Sequence, residues 1–385
     1  MWKREWVRIL TLALLITGFG MLEKAAFAGG LVLSPNETAL VNQPLTNSIE
    51  GWVSMGEGGS VDLEQDVVNP MGAKGALAFH YPIDGSSISA ATLPTPDGLA
   101  GMKSLHFWIK CDHTAAVIVS LSEKDGGRYN ATFTAPKDQW QEVALAPSDF
   151  GLGTEATDPP DPDGKLDLDQ VQAITIFDLY QLLSKVKNSN LAAVINAPMG
   201  QHTFYLSHLT ISQAALPTKL VSGTNVVISD YSRPQVNWIG IGGVTLKQES
   251  ADSPLKQPSL LAEYEQGPNR IVALIHDMHP YHLTLTSRLQ FDMASSQAAT
   301  LVVQLEETDG GKYNSTINMP GGDQVQHLQL KYSDFTPAQD SQDTNDRLDM
   351  DKIKTLTIID FSGATISTEQ INRLWLGKVV AVGKS

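Results

Sequence analysis

The chain has 385 residues, a formal net charge of −15 and a single cysteine, Cys111. So acidic a chain repels phosphate backbones and anionic lipid, which argues against nucleic-acid and membrane-surface partners. One thiol excludes an internal disulfide, so each domain must be held together by its buried core.

The first 28 residues have the features of a secretory targeting segment. Three basic side chains lie at or before an apolar stretch at residues 9–22, and Ala26-Phe27-Ala28 supplies a small-x-small cleavage signature before Gly29. The alternative is a retained membrane anchor, for which the apolar stretch is short. We therefore predict a signal peptide at residues 1–28, no membrane span in the mature chain, and a secreted or periplasmic protein.

The second half of the chain repeats the first. Residues 121–132 (LSEKDGGRYNAT) return as residues 305–316 (LEETDGGKYNST), 184 positions later. A period this long does not suit a solenoid repeat, so the pattern indicates two copies of one globular domain. We predict domains at residues 29–214 and 224–385, joined by a linker at residues 215–223.

Most segments alternate apolar and polar residues between Gly, Pro, Asn and Asp, which is the pattern of half-buried strands. At residues 105–110, apolar side chains alternate with His106, Trp108 and Lys110, and the second copy keeps the apolar positions. The sequence therefore predicts an all-β fold of two tandem β-sandwiches. The expected core residues are Leu105, Phe107, Val117, Val119 and Ile174 in the first copy and Leu289, Phe291, Leu301, Val303 and Leu356 in the second.

The first copy carries one insertion, around residues 179–197. Its apolar residues, among them Leu182, Leu183 and Val186, lie at roughly helical spacing. We predict a short helix packed on the edge of the sandwich; the alternative is a functional lid over a binding site.

The order of several short motifs carries a family resemblance. The motifs are Phe107-Trp108-Ile109-Lys110, Glu123-x-Asp125-Gly126-x-x-Tyr129, Trp140-x-x-Val143, Pro147-Ser148-Asp149-Phe150, Leu166-Asp167-Leu168 and Phe204-Tyr205-Leu206. This order resembles that of the galactose-binding-like jelly rolls, particularly carbohydrate-binding modules similar to family 11 and its relatives, in two tandem copies. The resemblance implies jelly-roll domains that work beside polysaccharide-degrading machinery.

Two features bear on metal binding. Modules of the kind resembled often carry an acidic residue after the last strand, which helps to hold a structural calcium, but this chain has Ser207 and Gly377 there. The loop at residues 161–167 has oxygen ligands at positions one, three and seven but Lys165 at position five, unlike an EF-hand. A structural calcium is therefore possible but not supported by the loop spacing, and no cofactor is predicted.

Three histidines, His276, His279 and His282, lie within seven residues. Neutral imidazoles are good zinc and copper ligands, so the cluster is a candidate metal site. On a strand, however, His276 and His282 share a face that His279 does not. The sequence does not decide whether these three histidines bind a metal, and no metal site is predicted.

Aromatic side chains are the best functional lead, because sugars stack their C–H faces on aromatic rings. Trp108 is expected on the solvent face of its strand, with His106, Lys110 and Arg128 as neighbours that bind hydroxyl groups. The second copy has Asp292 at the position of Trp108. The alternative is that Trp108 packs beneath the insertion.

No nucleophile elbow, zinc-protease helix, phosphate loop or dinucleotide fingerprint is present, so we expect no enzyme. The sequence predicts a non-catalytic protein that binds a polysaccharide or oligosaccharide. The alternative is a structural or assembly adapter that contacts other secreted proteins through the same domains. A third reading is an unrecognised glycan-active enzyme.

We expect the mature chain to begin at Gly29, because Ala26-Phe27-Ala28 presents small residues at the cleavage positions. Intact-mass spectrometry of the exported protein checks this. An exported protein that retains Met1 would contradict it.

Overall fold

The computed structural model describes residues 39–154, 158–186, 189–216 and 224–384, without the side chains of residues 189–191. The predicted cleavage site and most of the predicted linker lie outside these residues. The chain falls into two compact units, the first made mainly of residues before 218 and the second mainly of residues from 219 onward. No helix among the described residues is long and apolar enough to span a bilayer.

The first unit consists of two antiparallel sheets. Its strands are β1 (Ala39–Gln43), β2 (Val53–Gly56), β3 (Ser60–Val68), β4 (Lys74–Ile83), β5 (Ser89–Pro94), β6 (Ser104–Cys111), β7 (Ala115–Glu123), β8 (Arg128–Ala135), β9 (Gln141–Leu145), β10 (Gly151–Leu152), β11 (Val171–Asp178) and β12 (Gly200–Ser212). The front sheet has the order β3-β4-β12-β6-β9, with β1 also paired to β12, and the back sheet has the order β10-β8-β7-β11-β5-β2.

The second unit repeats this topology. Its strands are β13 (Val226–Ser229), β14 (Ile239–Ile241), β15 (Thr245–Glu249), β16 (Ser259–Gln266), β17 (Val272–Asp277), β18 (Thr286–Ser295), β19 (Ala299–Glu307), β20 (Lys312–Met319), β21 (Gln326–Lys331), β22 (Thr336–Pro337), β23 (Ile353–Asp360), β24 (Gln370–Leu376) and β25 (Val379–Gly383). Its front sheet has the order β13-β25-β18-β24-β16-β15, with β21 paired to β18, and its back sheet has the order β14-β17-β23-β19-β20-β22.

Each strand of the first unit has a counterpart in the second. The back-sheet order of the second unit is that of the first read from the opposite edge. The one difference in the front sheet is that β12 is a single strand with a register shift between Ser207 and Thr210, whereas β24 and β25 are separated at Gly377. The predicted all-β fold of two tandem jelly-roll sandwiches is confirmed.

The core of each unit lies between its two sheets. Because side chains alternate along a strand, the odd-numbered apolar residues of β6 point inward, and Leu105, Phe107 and Ile109 are buried. All ten core residues predicted from the repeat are buried in the apolar clusters of their units. The core prediction is therefore confirmed.

The insertion at residues 179–197 contains two short helices, whereas the sequence predicted one. Helix α1 (Tyr180–Leu183) follows β11, and helix α2 (Ser189–Ile195) follows it. Gln181 is buried and joins α1 to β5, because its Oε1 accepts from the Ser89 amide at 2.8 Å and its Nε2 donates to the Ser89 carbonyl at 2.9 Å. The helix α1 therefore packs against the back sheet and does not cover Trp108, which is on the front sheet.

Replacing Phe107 or Phe291 by Ala should cost about 3–5 kcal/mol of unfolding free energy, because each ring fills the core between two sheets. Chemical denaturation of the full chain measures this cost. Hydrogen exchange should show lost protection in β6 for Phe107→Ala and in β18 for Phe291→Ala. A loss of less than about 1 kcal/mol would contradict the assignment of these rings to the core.

Candidate functional site

The outer face of the first unit's front sheet carries the predicted binding residues of β6. His106, Trp108 and Lys110 are partly exposed, whereas the alternate residues of the strand are buried. Their orientation toward the outer face therefore agrees with the sequence analysis. Whether they bind a ligand stays a prediction.

A second aromatic side chain lies beside Trp108 on this face. In the register of β6 with β12, Lys110 is opposite Tyr205 and Trp108 is opposite Ser207. Tyr205 is thus the diagonal neighbour of Trp108, at a separation that aromatic side chains can bridge. Tyr205 is also partly exposed. The sequence analysis quoted Tyr205 only as part of a motif, because a single strand does not reveal its cross-strand neighbours.

Acidic side chains lie on both sides of the two rings. Glu142 on β9 is opposite Trp108 and exposed. On the other side, Asp62 of β3 is opposite Ala78 of β4, which is opposite Tyr205. Burial, and then the carboxylates of Glu64 and Asp112, raise the pKa of the Tyr205 hydroxyl. This hydroxyl is therefore a neutral hydrogen-bonding group at physiological pH.

A hydrogen bond links the segment before β9 to the end of β3. Trp140 Nε1 donates to the Val68 carbonyl at 3.0 Å. Because Val68 ends β3 and Trp140 precedes β9, the bond joins the two edges of the front sheet. Trp140 is two residues before the outward-facing Glu142, and it is not part of the core cluster. We therefore infer that the bond runs over the outer face.

The prediction that Arg128 neighbours Trp108 is wrong. Arg128 begins β8 in the back sheet, so it belongs to the other layer of the sandwich. Its guanidinium is buried and donates from Nη1 to Asp158 Oδ1 at 3.1 Å. His106 lies two residues before Trp108 on the same face of β6, with its Nε2 3.1 Å from Ser104 Oγ. The alternation of side chains along β8 correctly predicts that Arg128 faces outward. Only the sheet order shows that β8 belongs to the back sheet, whereas Trp108 lies on the front sheet.

The corresponding face of the second unit is covered. Trp375 occupies the position of Tyr205 and clusters with Leu255, Leu261 and Ala294, so it is only 7 % exposed. Asp292, at the position of Trp108, accepts from Gln257 Nε2 at 2.9 Å and lies 2.6 Å from His327 Nδ1. The loop between β15 and β16 supplies Leu255 and Gln257, and both pack on this face. The second unit therefore offers no open aromatic pair on its described front sheet.

A partly buried cluster in the first unit has the residue types of a metal site. The ligand atoms of Asp112, His113 and His202 lie within 4.8 Å of one another. However, His113 Nδ1 is 2.8 Å from Asp112 Oδ1 and its Nε2 is 2.7 Å from Asp178 Oδ2. His202 likewise contacts Asp112 and the Pro198 carbonyl through its two nitrogens. Both nitrogens of each ring therefore already have oxygen partners within the protein, and the cluster is a hydrogen-bond network.

Two buried or half-buried carboxylates make His113 a cation. Burial of the imidazole, the largest single influence, favours the neutral form, but the hydrogen bonds to Asp112 and Asp178 together raise the pKa of His113 to about 9. The Tyr81 hydroxyl also donates to Asp178 at 3.0 Å. The charged ring therefore ties the turn between β6 and β7 to the end of β11 at neutral pH.

The three histidines near Pro280 do not converge. His276 is buried against Trp238, with its Nδ1 2.6 Å from the Asn237 carbonyl. His279 Nδ1 lies 2.6 Å from Asp277 Oδ1, and His282 is exposed. Among the described residues, these rings form no metal-ligating group. Burial lowers the pKa of His276, so this ring is neutral and structural.

The described residues form two tandem jelly-roll units, and the outer face of the first unit's front sheet carries the partly exposed Trp108 and Tyr205. No family model matches the chain, and no curated protein matches it significantly. The fold is similar to a family 11 carbohydrate-binding module of a Clostridium thermocellum cellulosomal cellulase, at 11 % identity and a TM-score of 0.33 over 43 % of this chain and 97 % of that chain.

Two further solved structures are similar. The tandem CBM22 domains of Paenibacillus barcinonensis Xyn10C match 93 % of this chain and 100 % of their own, at 10 % identity and a TM-score of 0.29. An agarase, AgWH50C, matches 42 % of this chain and 25 % of its own, at 9 % identity and a TM-score of 0.31. None of these similarities identifies a ligand of this chain.

The first unit should lose stability as the pH rises from about 6.5 to about 9. The pKa of His113 is higher in the folded chain than the ordinary value of 6.5, so its contribution is complete below pH 6.5 and disappears above pH 9. The difference corresponds to about 2–4 kcal/mol. Denaturation curves at pH 6 and pH 10 measure this change in unfolding free energy.

The His113→Gln variant should lose most of this pH dependence, whereas the control His282→Gln, at an exposed histidine, should retain it. An unchanged pH dependence of the unfolding free energy in His113→Gln would contradict the assignment.

Proposed function

We propose that the protein is an exported, non-catalytic carbohydrate-binding protein, and that its sugar site is the outer face of the front sheet in the first unit. The observation that supports this most directly is the side-by-side placement of Trp108 and Tyr205, both partly exposed on one sheet face.

Aromatic rings in this position suit a sugar ring. The C–H faces of a pyranose are apolar and stack on an indole or phenol ring, while its hydroxyl groups need hydrogen-bond partners at the edges. The face provides both, because Lys110, Glu142 and the Tyr205 hydroxyl flank the stacking surfaces. A buried apolar ligand would leave these polar groups unpaired, which is costly.

The charge of the chain favours a neutral glycan. The formal net charge is −15, and Asp62, Glu64 and Glu142 are near the proposed site. A sulfated or uronic-acid-rich chain would be repelled by these carboxylates. We therefore expect β-glucans, xylans, mannans or galactans as ligands, rather than acidic polysaccharides. Several solved structures of similar fold are carbohydrate-binding modules, which is consistent with this expectation.

The two copies have diverged in a way that fits one binding site. The second unit buries Trp375 under Leu255 and has Asp292 in place of Trp108. Its front face is thus closed by the loop between β15 and β16. The first unit is therefore the copy in which we place the sugar site.

Trp108→Ala should weaken glycan binding by about 2 kcal/mol or more, because an anchoring aromatic contributes on that scale. The full chain is first screened by affinity electrophoresis against neutral and acidic polysaccharides, and the best ligand is then titrated calorimetrically. Stability should change little, since the Trp108 ring is partly exposed.

Asp292→Ala is the matched control, because it changes the equivalent position of the second unit. Its glycan affinity should equal that of the unmodified chain. Equal affinity in Trp108→Ala, or no binding to any glycan in the screen, would contradict the proposal. Binding that is lost only in Asp292→Ala would place the site in the second unit instead.

A further inference from the structure

A strand irregularity lies beside the aromatic pair of the first unit. Within β12, the register with β6 shifts between Ser207, which is opposite Trp108, and Thr210, which is opposite His106. His208 lies at this shift, and its side chain is partly exposed. A β-bulge changes the direction in which a side chain points, and bulges are over-represented next to functional sites. This bulge adjoins the proposed sugar site.

The backbone of His208 has a conformation that few residues adopt. Its φ is 53°, in the left-handed region, which is unfavourable for residues other than glycine. Of the non-glycine residues with positive φ in the described parts of the chain, His208 is the one inside a strand. Its amide donates to the Pro44 carbonyl at 3.1 Å, which holds the backbone in place. Such strain is concentrated at ligand sites, so it points to a role for this side chain.

One nitrogen of the His208 ring contacts a buried hydroxyl group. Ser207 is two residues after the outward-facing Tyr205, yet it is fully buried. Its Oγ lies 2.6 Å from His208 Nδ1 and 3.5 Å from the Pro44 carbonyl. Because Ser207 is the cross-strand neighbour of Trp108, the imidazole that contacts it lies close to Trp108.

The other nitrogen of the ring is available to a ligand. Among the described residues, the His208 ring contacts a protein group only through Nδ1. Burial lowers the pKa of His208, so the ring is neutral at physiological pH. A neutral imidazole has one N–H and one lone pair, and the hydrogen bond at one nitrogen determines which of them the other nitrogen has.

The second unit has no such pair at the equivalent place. Gly377 occupies the position of Ser207, two residues after Trp375. A Cβ at Gly377 would lie 2.8 Å from Gln257 Nε2, so the loop that covers this face fills the space of a side chain. In the described chain, the serine–histidine pair therefore accompanies the exposed aromatic residues and is absent from the covered face.

We propose that His208 is a specificity-determining residue of the sugar site, and that its Nε2–H donates to a hydroxyl group of the sugar that stacks on Trp108. Trp108 as the stacking surface is taken from the proposed function, on which this assignment rests. The Ser207 hydroxyl donates to Nδ1, the nearer of its two acceptors, so the proton of the neutral ring lies on Nε2. The bulge fixes the ring before the sugar arrives, which lowers the entropic cost of binding.

The hydrogen bond is tested on the full chain by affinity electrophoresis in gels that contain soluble β-glucan, xylan, glucomannan or galactan. Two amide substitutions separate the two nitrogens of His208. Asparagine keeps a polar atom at the Nδ1 position and tolerates a positive φ, whereas glutamine places a polar atom at the Nε2 position. His208→Asn should weaken binding about fivefold, the scale of one hydrogen bond, and His208→Gln should stay within about twofold of the unmodified chain.

Thermal unfolding distinguishes a binding role from a structural one. His208→Gly should leave the unfolding temperature unchanged or raise it, because glycine adopts a positive φ without strain, but it should weaken binding as His208→Asn does. Asp323→Gly is the matched control, because Asp323 is an exposed residue of the second unit with a φ of 59°. It should bind like the unmodified chain.

Trp108→Ala separates this assignment from the proposed function. Lost binding in Trp108→Ala with unchanged binding in His208→Asn would overturn the role of His208 and leave the sugar site where it is proposed. A fall of several degrees in the unfolding temperature of both His208→Asn and His208→Gly would also overturn it, because the ring would then serve the fold. No retardation of the unmodified chain in any of the four gels would overturn both proposals.

Discussion

Burial of the inward face of every strand is the constraint on which each unit depends. The chain has no disulfide to hold its loops, since its one cysteine, Cys111, is free and buried in the core. Buried rings such as Phe107 and Phe291 therefore fill the core between the two sheets of their own unit. Because side chains alternate along a strand, fixing the inward residues also determines which residues face outward. The outer faces could then change without loss of the fold.

The two copies show what this freedom allowed. At equivalent positions, the first unit has Trp108 and Tyr205 on an open face, and the second has Asp292 and a covered Trp375. Conversely, buried polar groups between the sheets are the same in the two units. Asp178 accepts from the Tyr81 hydroxyl, and Asp360 accepts from the Tyr264 hydroxyl in the same way. Buried polar groups tolerate little change, because each needs a partner within its own unit.

The partners of these two buried aspartates nevertheless differ. His113 contacts Asp178 in the first unit, whereas Gln266 Nε2 donates to Asp360 at 2.8 Å in the second. An imidazolium and an amide both satisfy the carboxylate, but only the imidazolium can lose a proton, with a pKa of about 9. The same fold thus has a pH-sensitive contact in one copy and a pH-insensitive one in the other.

The sequence by itself determined the duplication, the all-β class and the direction of individual side chains. The repeat and the two-residue alternation are local patterns, so they correctly placed Phe107 inward and Trp108 outward. The sheet order and the strand register are not local, because they depend on which strands pair across long stretches of chain. Only the tertiary structure therefore separated Arg128 from Trp108 and brought Tyr205 beside Trp108.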